Sequence, residues 1–585
     1  TRRRASSSLR AVTDFDVDFF ITNMYYILYM HISQGNAVLN THILGPHPVV
    51  RHFLERLNLA AIVRSCVGSC RERRIDHGEA LSALVHNILD SPAPLYRIAE
   101  WMSPIAPQAI GFTSDQKQAL NDDRIARMLD ALVSERGRGI WFLLALEIIK
   151  RFKISTQRMH HDTTTVTFHG SYAGSVSAPV ITHGHNKDHR PDLKQLVFGL
   201  TISSDGAVPI NHQVLSGNRS DDTVHQDNLE ELREILGRKD FVYVADSKLG
   251  SSANLKEISR YGGKFVTVLT RTRSEDKSFR EQLRKKPVRW RKIAKVPNKR
   301  RESDPPDVYF SCAYPGTTPE GFRIVWIRSG AKAIQDEGIR QKRLDRARIE
   351  LALLSKRLNR RQLRKAVNIR KAVRRILKAT DTMDFMDVKL KRHILEETKR
   401  IKRGRPAAGD PVRLVRRVVW NLRVGLRDEA LRCERRTDGV FPLVTNLNAG
   451  AKSKKEVLLI YKYQPYVEKR FSQLKTDLEV APVYIKKARR CAGLVHAYYV
   501  GLAVASLIER AVRQGMLRRG IKELPLLPEG RMTPTPTYAR ILEAFKGVSW
   551  HEFRRNDEVI RFPLKLSATQ KLLLELLEVP VELYC

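Results

Sequence analysis

The chain has 585 residues, 42% of them hydrophobic, which is enough material for several packed domains rather than one core. Its 104 Lys and Arg residues against 63 Asp and Glu give a formal net charge of +41, as expected of a protein that binds a polyanion. The most apolar stretch near the start, residues 19–30, is too short to span a membrane, and no later window is expected to reach that length. The composition therefore predicts a nucleic-acid partner and no membrane partner.

The N-terminal part of the chain predicts an arm followed by helices. Residues 1–40 are basic, then acidic and aromatic, without a clear period, and we interpret them as a poorly ordered arm. Three aspartates directly precede their apolar run and no small-residue cleavage site follows, so we expect no signal peptide and an intracellular protein. Residues 41–138 carry apolar side chains at helical spacing. The helices of this domain either bind DNA ends or only pack against one another, and both interpretations stay open.

The pattern changes to strands after residue 150. The runs "HHDTTTVTFHG", "LKQLVFGLTISSDGAVPINHQVLSG" and "KDFVYVADSKLG" are β-branched, alternating or wholly apolar, and "DDTVHQDNLEELREILGR" reads as a helix between the last two. Three strands, a helix and another strand predict a mixed sheet with a crossover. We therefore assign residues 150–274 to an α/β core.

The next part departs from that core. Residues 275–440 begin with strand-like pieces and continue into a highly charged tract over residues 339–403, which predicts a helical hairpin with an Arg-rich face. That face is either solvated or in contact with a DNA backbone. Core-like sequence returns over residues 441–520, and residues 521–585 read as a C-terminal helical region. The six scattered cysteines form neither a disulfide framework nor a zinc motif and are expected to be reduced and mostly buried.

Three acids occupy positions that suit metal-dependent phosphoryl chemistry. Asp162 follows two histidines at the start of a predicted strand, Asp246 ends the apolar strand "FVYVAD", and Glu468 lies early in a predicted helix. Carboxylate oxygens are the ligands that Mg²⁺ prefers, and three acids can hold two ions about 3.5–4 Å apart. An isolated strand-end aspartate is more often a turn former, so these residues alone suggest the chemistry without specifying it.

The segment "YKYQPYVEKRFSQLK", residues 461–475, sharpens this interpretation. It resembles bacterial and archaeal insertion-sequence transposases of the DDE class, in the group with a Tyr-x2-Arg-x3-Glu-x6-Lys signature. Tyr461, Glu468 and Lys475 match the signature, whereas Gln464 takes the place of its arginine and replaces a charged phosphate clamp by a neutral amide. The segments "HHDTTTVTFHG", "LSGNRSDDT" and "VADSKLGS" are similar to the catalytic-strand motifs of the same family. Similarity covers roughly residues 41–570.

The resemblance implies an RNase H-like catalytic core, interrupted by a large insertion domain between the second aspartate and the glutamate. It also implies that Asp162, Asp246 and Glu468 are the catalytic metal ligands, for two Mg²⁺ ions per site with Mn²⁺ as the alternative ion. The expected partners are double-stranded DNA, as terminal inverted repeats and as target, and a second copy in a homodimer on paired ends. The expected activity is strand cleavage and strand transfer, in a nucleoid-associated protein of the prokaryotic cytoplasm.

Two other functions also fit these residues. A structure-specific nuclease of the same fold would use the same acids without joining strands. A catalytically silent derivative of a transposase would keep the basic surface and only bind DNA.

Further side chains are predicted to contact DNA. Pro465 suits the first turn of a helix that begins near Gln464, and the spacing places Gln464, Glu468 and Lys475 on one face. The loop "THGHNKDHRPDLK" lacks the partners of a zinc site, so we interpret it as a polar DNA-contacting loop. The predicted DNA-contacting residues are Tyr461, Gln464, Lys475, His189, Arg190, Lys194 and Trp420.

Overall fold

The computed structural model describes residues 37–68, 74–172, 179–219, 221–297, 305–314, 316–401, 411–481, 483, 485–555 and 558–584. The chain divides into two compact units. The first unit comprises Thr1–Val244, Tyr261–Gly263 and Tyr463–Cys585, and the second comprises Ala245–Arg260 and Lys264–Lys462. In sequence, the second unit therefore interrupts the first. Most of the predicted arm lies outside the described residues, and its last four residues, 37–40, belong to a strand.

The α-helices of the described residues are α1 (His47–Arg56), α2 (Leu59–Val67), α3 (His77–Asp90), α4 (Ile98–Met102), α5 (Ser114–Ala119), α6 (Asp122–Leu132), α7 (Arg138–Arg151), α8 (Asp221–Leu236), α9 (Ser252–Arg260), α10 (Ser274–Lys285), α11 (Gly330–Lys356), α12 (Ala366–Ala379), α13 (Asp428–Arg435), α14 (Lys454–Tyr461), α15 (Pro465–Ser472), α16 (Ala488–Arg519), α17 (Tyr538–Glu543) and α18 (Ala568–Leu577). The strands are β1 (Ala37–Ile43), β2 (Arg158–Phe168), β3 (Lys194–Ser203), β4 (Pro209–Ser216), β5 (Val242–Val244), β6 (Lys264–Val268), β7 (Trp290–Val296), β8 (Asp307–Cys312), β9 (Arg323–Ser329), β10 (Met386–Arg400), β11 (Val412–Leu426), β12 (Val440–Thr445), β13 (Ser549–Arg555) and β14 (Glu558–Arg561).

The first unit begins with the predicted helical region. Local capping explains where α3 starts: the Asp76 side chain accepts from the backbone N–H of Glu79, and the Glu79 carboxylate accepts from the backbone N–H of Asp76, which forms a capping box. Most side chains of α3 are buried. The described residues of this region are mainly helical, whereas the domain bounds 41–138 stay a prediction.

The strands of the first unit follow the order β4-β3-β2-β5. β2 pairs antiparallel with β3, and β3 pairs antiparallel with β4. Helix α8 then connects β4 to β5, which pairs parallel with β2. Side chains on both faces of β3 are buried, as expected of a strand covered on two sides. This confirms the mixed α/β fold predicted for this stretch. A smaller antiparallel sheet, β1-β13-β14, adds strands to a tail that the sequence predicted to be helical.

α16 is the longest helix among the described residues, with 32 residues, and most of its side chains are buried. It is long and apolar enough to cross a membrane by length and composition, with a mean hydropathy of 1.7, and 94% of that window is buried inside the protein. The prediction that no window reaches spanning length was therefore wrong. Its small residues let neighbouring helices approach closely, as expected of a core helix.

The second unit contains the antiparallel strand order β6-β12-β9-β8-β7 and a separate two-stranded ribbon of β10 and β11. The helical tract predicted over residues 339–403 is partly wrong. α11 and α12 form its helical part, but the chain turns after Ala379 and runs as strand β10 from Met386. The cause is cross-strand pairing with β11 over 15 residues, which a local helical pattern does not reveal.

The cysteines of the described residues are free thiols. Cys312 and Cys491 are buried, whereas Cys66 and Cys433 are half-buried. Cys70 and Cys585 lie outside the described residues.

Candidate functional site

Asp162 lies on strand β2 of the first unit. Its neighbours His160, His161 and Thr163 are buried, while 22% of the Asp162 side chain is exposed. One carboxylate oxygen, Oδ1, accepts a hydrogen bond from the backbone N–H of Thr163 at 2.7 Å. The strand therefore holds this carboxylate at its surface, beside an otherwise buried row of side chains.

Glu468 lies on helix α15 of the same unit. The helix starts immediately after Gln464 with Pro465 in its first turn, which confirms the predicted start. Glu468 is exposed, so its carboxylate faces solvent. The predicted single helical face does not continue to Lys475, because residues Gln473–Asp477 form a π-helical turn that changes the angular spacing of the side chains.

The Gln464 side chain joins these two elements. Its Nε2 donates to the backbone carbonyl of His161 at 2.7 Å, and its Oε1 accepts from His160 Nδ1 at 3.2 Å. Only 6% of Gln464 is exposed. Both amide atoms are used inside the protein, so the structure gives Gln464 a positioning contact in place of the predicted DNA contact. The strand of Asp162 and the helix of Glu468 are thereby fixed to each other.

Arg470 provides a second anchor for α15. It is 3% exposed, pairs with Glu509 of α16 at 2.8 Å, and donates to the carbonyls of Gly206 and Ala207. A buried pair of this kind depends on complete hydrogen bonding, which the Gly206 and Ala207 carbonyls provide for the guanidinium. The helix that presents Glu468 is therefore held on two sides.

The loop between β2 and β3 brings a lysine to Asp162. Lys187 Nζ donates to the carbonyl of Thr163 at 2.7 Å and lies 3.7 Å from Asp162 Oδ1. In the same loop, Asp188 accepts from Lys475 Nζ at 2.7 Å, so Lys475 is placed within reach of this loop. Sequence reasoning missed Lys187 and Asp188, because only the folded loop shows which of its many polar residues turn toward β2 and α15.

The two histidines before Asp162 are neutral. Burial lowers the pKa of His160 to about 4, against a smaller opposing effect of its hydrogen bond to Gln464. Burial also holds the pKa of His161 well below its usual value, and His225 and Lys187 add to that effect. His161 Nδ1 lies 3.0 Å from the hydroxyl of Thr201. These rings therefore support the strand as neutral hydrogen-bonding groups.

Asp246 belongs to the second unit. It follows β5 by two residues and caps a short 3₁₀ helix, Ser247–Gly250, by accepting from the backbone N–H of Lys248 at 3.0 Å. Val244, at the end of β5, is paired with His160. Asp246 thus forms a turn, and its role as a metal ligand stays a prediction.

The donor chemistry of the predicted acids suits a hard divalent cation. Asp162 and Glu468 offer carboxylate oxygens with solvent access, which is what Mg²⁺ requires when it also keeps water and phosphate ligands. Within the ranges that the structure describes, no three His, Cys, Asp or Glu side chains are grouped closely enough to hold a metal ion. The assignment of all three acids as metal ligands therefore stays a prediction.

Three further predicted residues belong to the β2–β3 loop and the start of β3. His189 and Arg190 are exposed in the β2–β3 loop, where Arg190 pairs with Asp192 at 2.7 Å. Lys194 at the start of β3 donates to the carbonyl of Ser171. Their predicted DNA contacts remain predictions.

Two predicted residues belong to the second unit. Tyr461 ends α14 and is half-buried. Trp420 lies on β11, where its indole Nε1 donates to the carbonyl of Arg364 at 2.9 Å. Stacking of Trp420 on a base remains a prediction.

Comparisons with known proteins give limited matches. Residues 39–145 match a family described as a domain of unknown function, DUF4277. No curated protein matches the sequence. Among solved structures, the chain is similar to a piggyBac transposase in a synaptic complex with hairpin DNA, with a TM-score of 0.37 and 10% identity over 87% of this chain and 82% of that chain.

Proposed function

We propose that this chain is a DNA transposase with an RNase H-like catalytic core, which binds the terminal inverted repeats of an insertion sequence and cuts and joins DNA strands. The observation that carries the proposal is the Gln464 bridge. It attaches the helix of Glu468 directly to the strand of Asp162, at His160 and His161, the two residues that precede that aspartate. Asp162 and Glu468, which are distant in sequence, are thus presented by two elements that contact each other directly.

The chain's own residues supply several parts of such a site. Asp162, Asp246 and Glu468 would hold two divalent cations, Mg²⁺ or Mn²⁺. When bound, these ions would offset the negative charge of the reacting phosphate and favour deprotonation of the attacking water. Lys187 and Lys475 place two ammonium groups beside β2 and α15, where they can attract the DNA backbone. The buried contacts of Gln464 and Arg470 keep α15 from shifting, which preserves the alignment of the acids.

In the proposed reaction, water attacks a phosphorus atom at the element end and the P–O3′ bond breaks, which leaves a free 3′-hydroxyl. That hydroxyl then attacks a target phosphodiester, so one P–O bond forms as another breaks. Because two ends must be joined in concert, a homodimer on paired ends is part of the proposal.

The test is cleavage of inverted-repeat DNA by purified protein with Mg²⁺. We expect Asp162→Asn, Asp246→Asn and Glu468→Gln each to abolish cleavage while end binding is largely retained. Glu523→Gln removes an exposed carboxylate elsewhere in the first unit and should leave cleavage unchanged. Wild-type cleavage by the Glu468→Gln protein would sink the assignment.

A strand-transfer assay separates transposition from simple nuclease activity. The assay supplies pre-cut ends with free 3′-hydroxyls together with a circular target. Joined products are expected, and they should disappear in the Glu468→Gln protein. Cleavage of ends without any joining would assign the chain to the structure-specific nucleases instead.

A further inference from the structure

The ribbon of β10 and β11 presents two faces that differ in composition and net charge. The strands pair antiparallel over 15 residues, from Met386 opposite Leu426 to Arg400 opposite Val412. In this register an even-numbered residue always faces an even-numbered one, and successive side chains alternate between faces. Even-numbered residues therefore form one face, which we call the apolar face, and odd-numbered residues form the other, which we call the basic face.

The apolar face is used for packing at the base of the ribbon. Met386 is buried against Leu344, Leu351 and Leu377 of the two helices α11 and α12, and Val388 packs on the same cluster. This contact orients the ribbon within the second unit. At the base of the ribbon, the basic face therefore lies opposite to this cluster, while further along it Arg417 donates to the backbone carbonyl of Asn359, between α11 and α12.

The basic face carries six exposed cationic side chains: Lys389, Lys391, Lys399, Arg413, Arg417 and Arg423. Its two acids, Asp387 and Glu397, each lie beside a lysine of the same strand, at 3.3 Å from Lys389 and 4.0 Å from Lys399. In the described part of the chain, no acidic side chain forms an ion pair with Lys391, Arg413 or Arg423. The face therefore keeps a clear excess of positive charge.

The register places like charges directly opposite each other. Lys389 faces Arg423, and Lys399 faces Arg413. Like charges in such cross-strand positions destabilise a two-stranded ribbon, and an isolated ribbon has little stability of its own to offset that cost. A bound polyanion would remove the repulsion.

We propose that the basic face of this ribbon binds the phosphate backbone of duplex DNA. Same-face residues on one strand repeat about every 6.6 Å, so the cations form two parallel rows along roughly 50 Å of ribbon. Duplex DNA carries one negative charge per about 1.7 Å of axis, enough to meet every cation in these rows. The proposal rests on the proposed function only for the identity of the partner. It goes beyond that function by assigning a DNA-binding surface outside the catalytic acids.

The test compares two charge-matched double variants of the full chain. Lys391→Gln with Arg423→Gln removes two cations from the basic face. Arg392→Gln with Arg416→Gln removes two exposed cations from the apolar face of the same two strands. Binding to a duplex lacking inverted repeats is measured by fluorescence anisotropy between 50 and 300 mM salt, values typical of such titrations. Thermal unfolding of both proteins confirms that the fold is kept.

We expect the basic-face double to lower affinity roughly ten- to hundredfold at about 0.1 M salt and to reduce the slope of log K against log salt by about 2. The apolar-face double should leave the slope unchanged. An unaltered slope in the basic-face double, or equal changes in both doubles, would overturn the proposal. A change in self-association with no change in DNA affinity would assign the ribbon to a second copy of the chain and would also overturn it.

Cleavage by the Glu468→Gln protein is measured in parallel. Cleavage that survives in this protein refutes the proposed function whatever the ribbon variants do. Conversely, equal DNA affinities and salt slopes in the two double variants refute only the DNA-binding role of the basic face.

Discussion

Gln464 explains, at the scale of one residue, where this chain departs from the signature it resembles. An amide can donate and accept at once, and Gln464 does both, toward His161 O and His160 Nδ1. An arginine offers donors only and could not accept from His160. The substitution thus suits a buried bridge better than a phosphate clamp.

Removing that bridge should uncouple α15 from β2. Gln464→Met keeps the side-chain volume but loses both hydrogen bonds, and should cost about 1–3 kcal/mol of unfolding free energy because buried polar partners are left unsatisfied. DNA cleavage should fall at least tenfold while duplex affinity is unchanged. Denaturant unfolding, cleavage rate and duplex affinity are measured on the same preparation. If Gln464→Met instead weakened DNA binding and left the unfolding free energy unchanged, the predicted contact of Gln464 with DNA would be supported.

At the scale of an element, α16 shows how a helix of mostly apolar residues is fitted into the first unit. A Cβ added at Gly493 would lie 2.5 Å from the backbone oxygen of Leu129 in α6, a distance that only a shift of one helix could relieve. At Gly501 the nearest atom is a side-chain carbon of Ile88 in α3, at 3.1 Å, which can move. Gly493 is therefore required for the close backbone approach of α6 and α16, whereas the contact at Gly501 can be relieved by a side-chain movement.

Gly493→Ala should lower the unfolding free energy by about 1–3 kcal/mol through overpacking, even though alanine is the better helix former by about 1 kcal/mol. Gly501→Ala on the same helix should be close to neutral. Thermal unfolding of the two variants gives the comparison. Equal effects at both positions would contradict the close approach of α6 and α16.

At the scale of the whole molecule, the first unit buries several histidines in neutral form. His212 Nε2 lies 2.6 Å from His496 Nδ1, and burial lowers the pKa of His496 to about 3 and that of His212 well below its usual value. Burial likewise lowers the pKa of His47 to about 4, with Asp90 opposing it, and holds that of His86 far below its usual value. These groups make the first unit sensitive to acid.

The direction of the pH dependence follows from these depressed values. Since the unfolded histidines titrate near 6.5, the unfolded state binds more protons below that pH, and stability is lost as pH falls from about 6.5 toward 3. His496 and His47, with pKa values of about 3 and about 4, should each cost about 2 kcal/mol at pH 5. Guanidinium unfolding at pH 7.5 and 5.0 measures the loss.

A variant isolates the contribution of one ring. His496→Gln removes one titrating group and should reduce the difference between the two pH values by about 2 kcal/mol. His169→Gln, at an exposed position, should leave that difference unchanged. An identical pH dependence in wild type and His496→Gln would show that this ring is not buried neutral.

Local patterns in the sequence determined much of this protein. The strand pattern of β2 to β4 and the Pro465 start of α15 were readable, because period, propensity and capping act over a few residues. Contacts between segments that are distant in sequence could not be read in this way. The burial of Gln464 between β2 and α15, the approach of Lys187 to Asp162, and the strand state of β10 depend on partners tens to hundreds of residues away. Only the tertiary structure decides these, because a side chain takes its role from the atoms that fold against it.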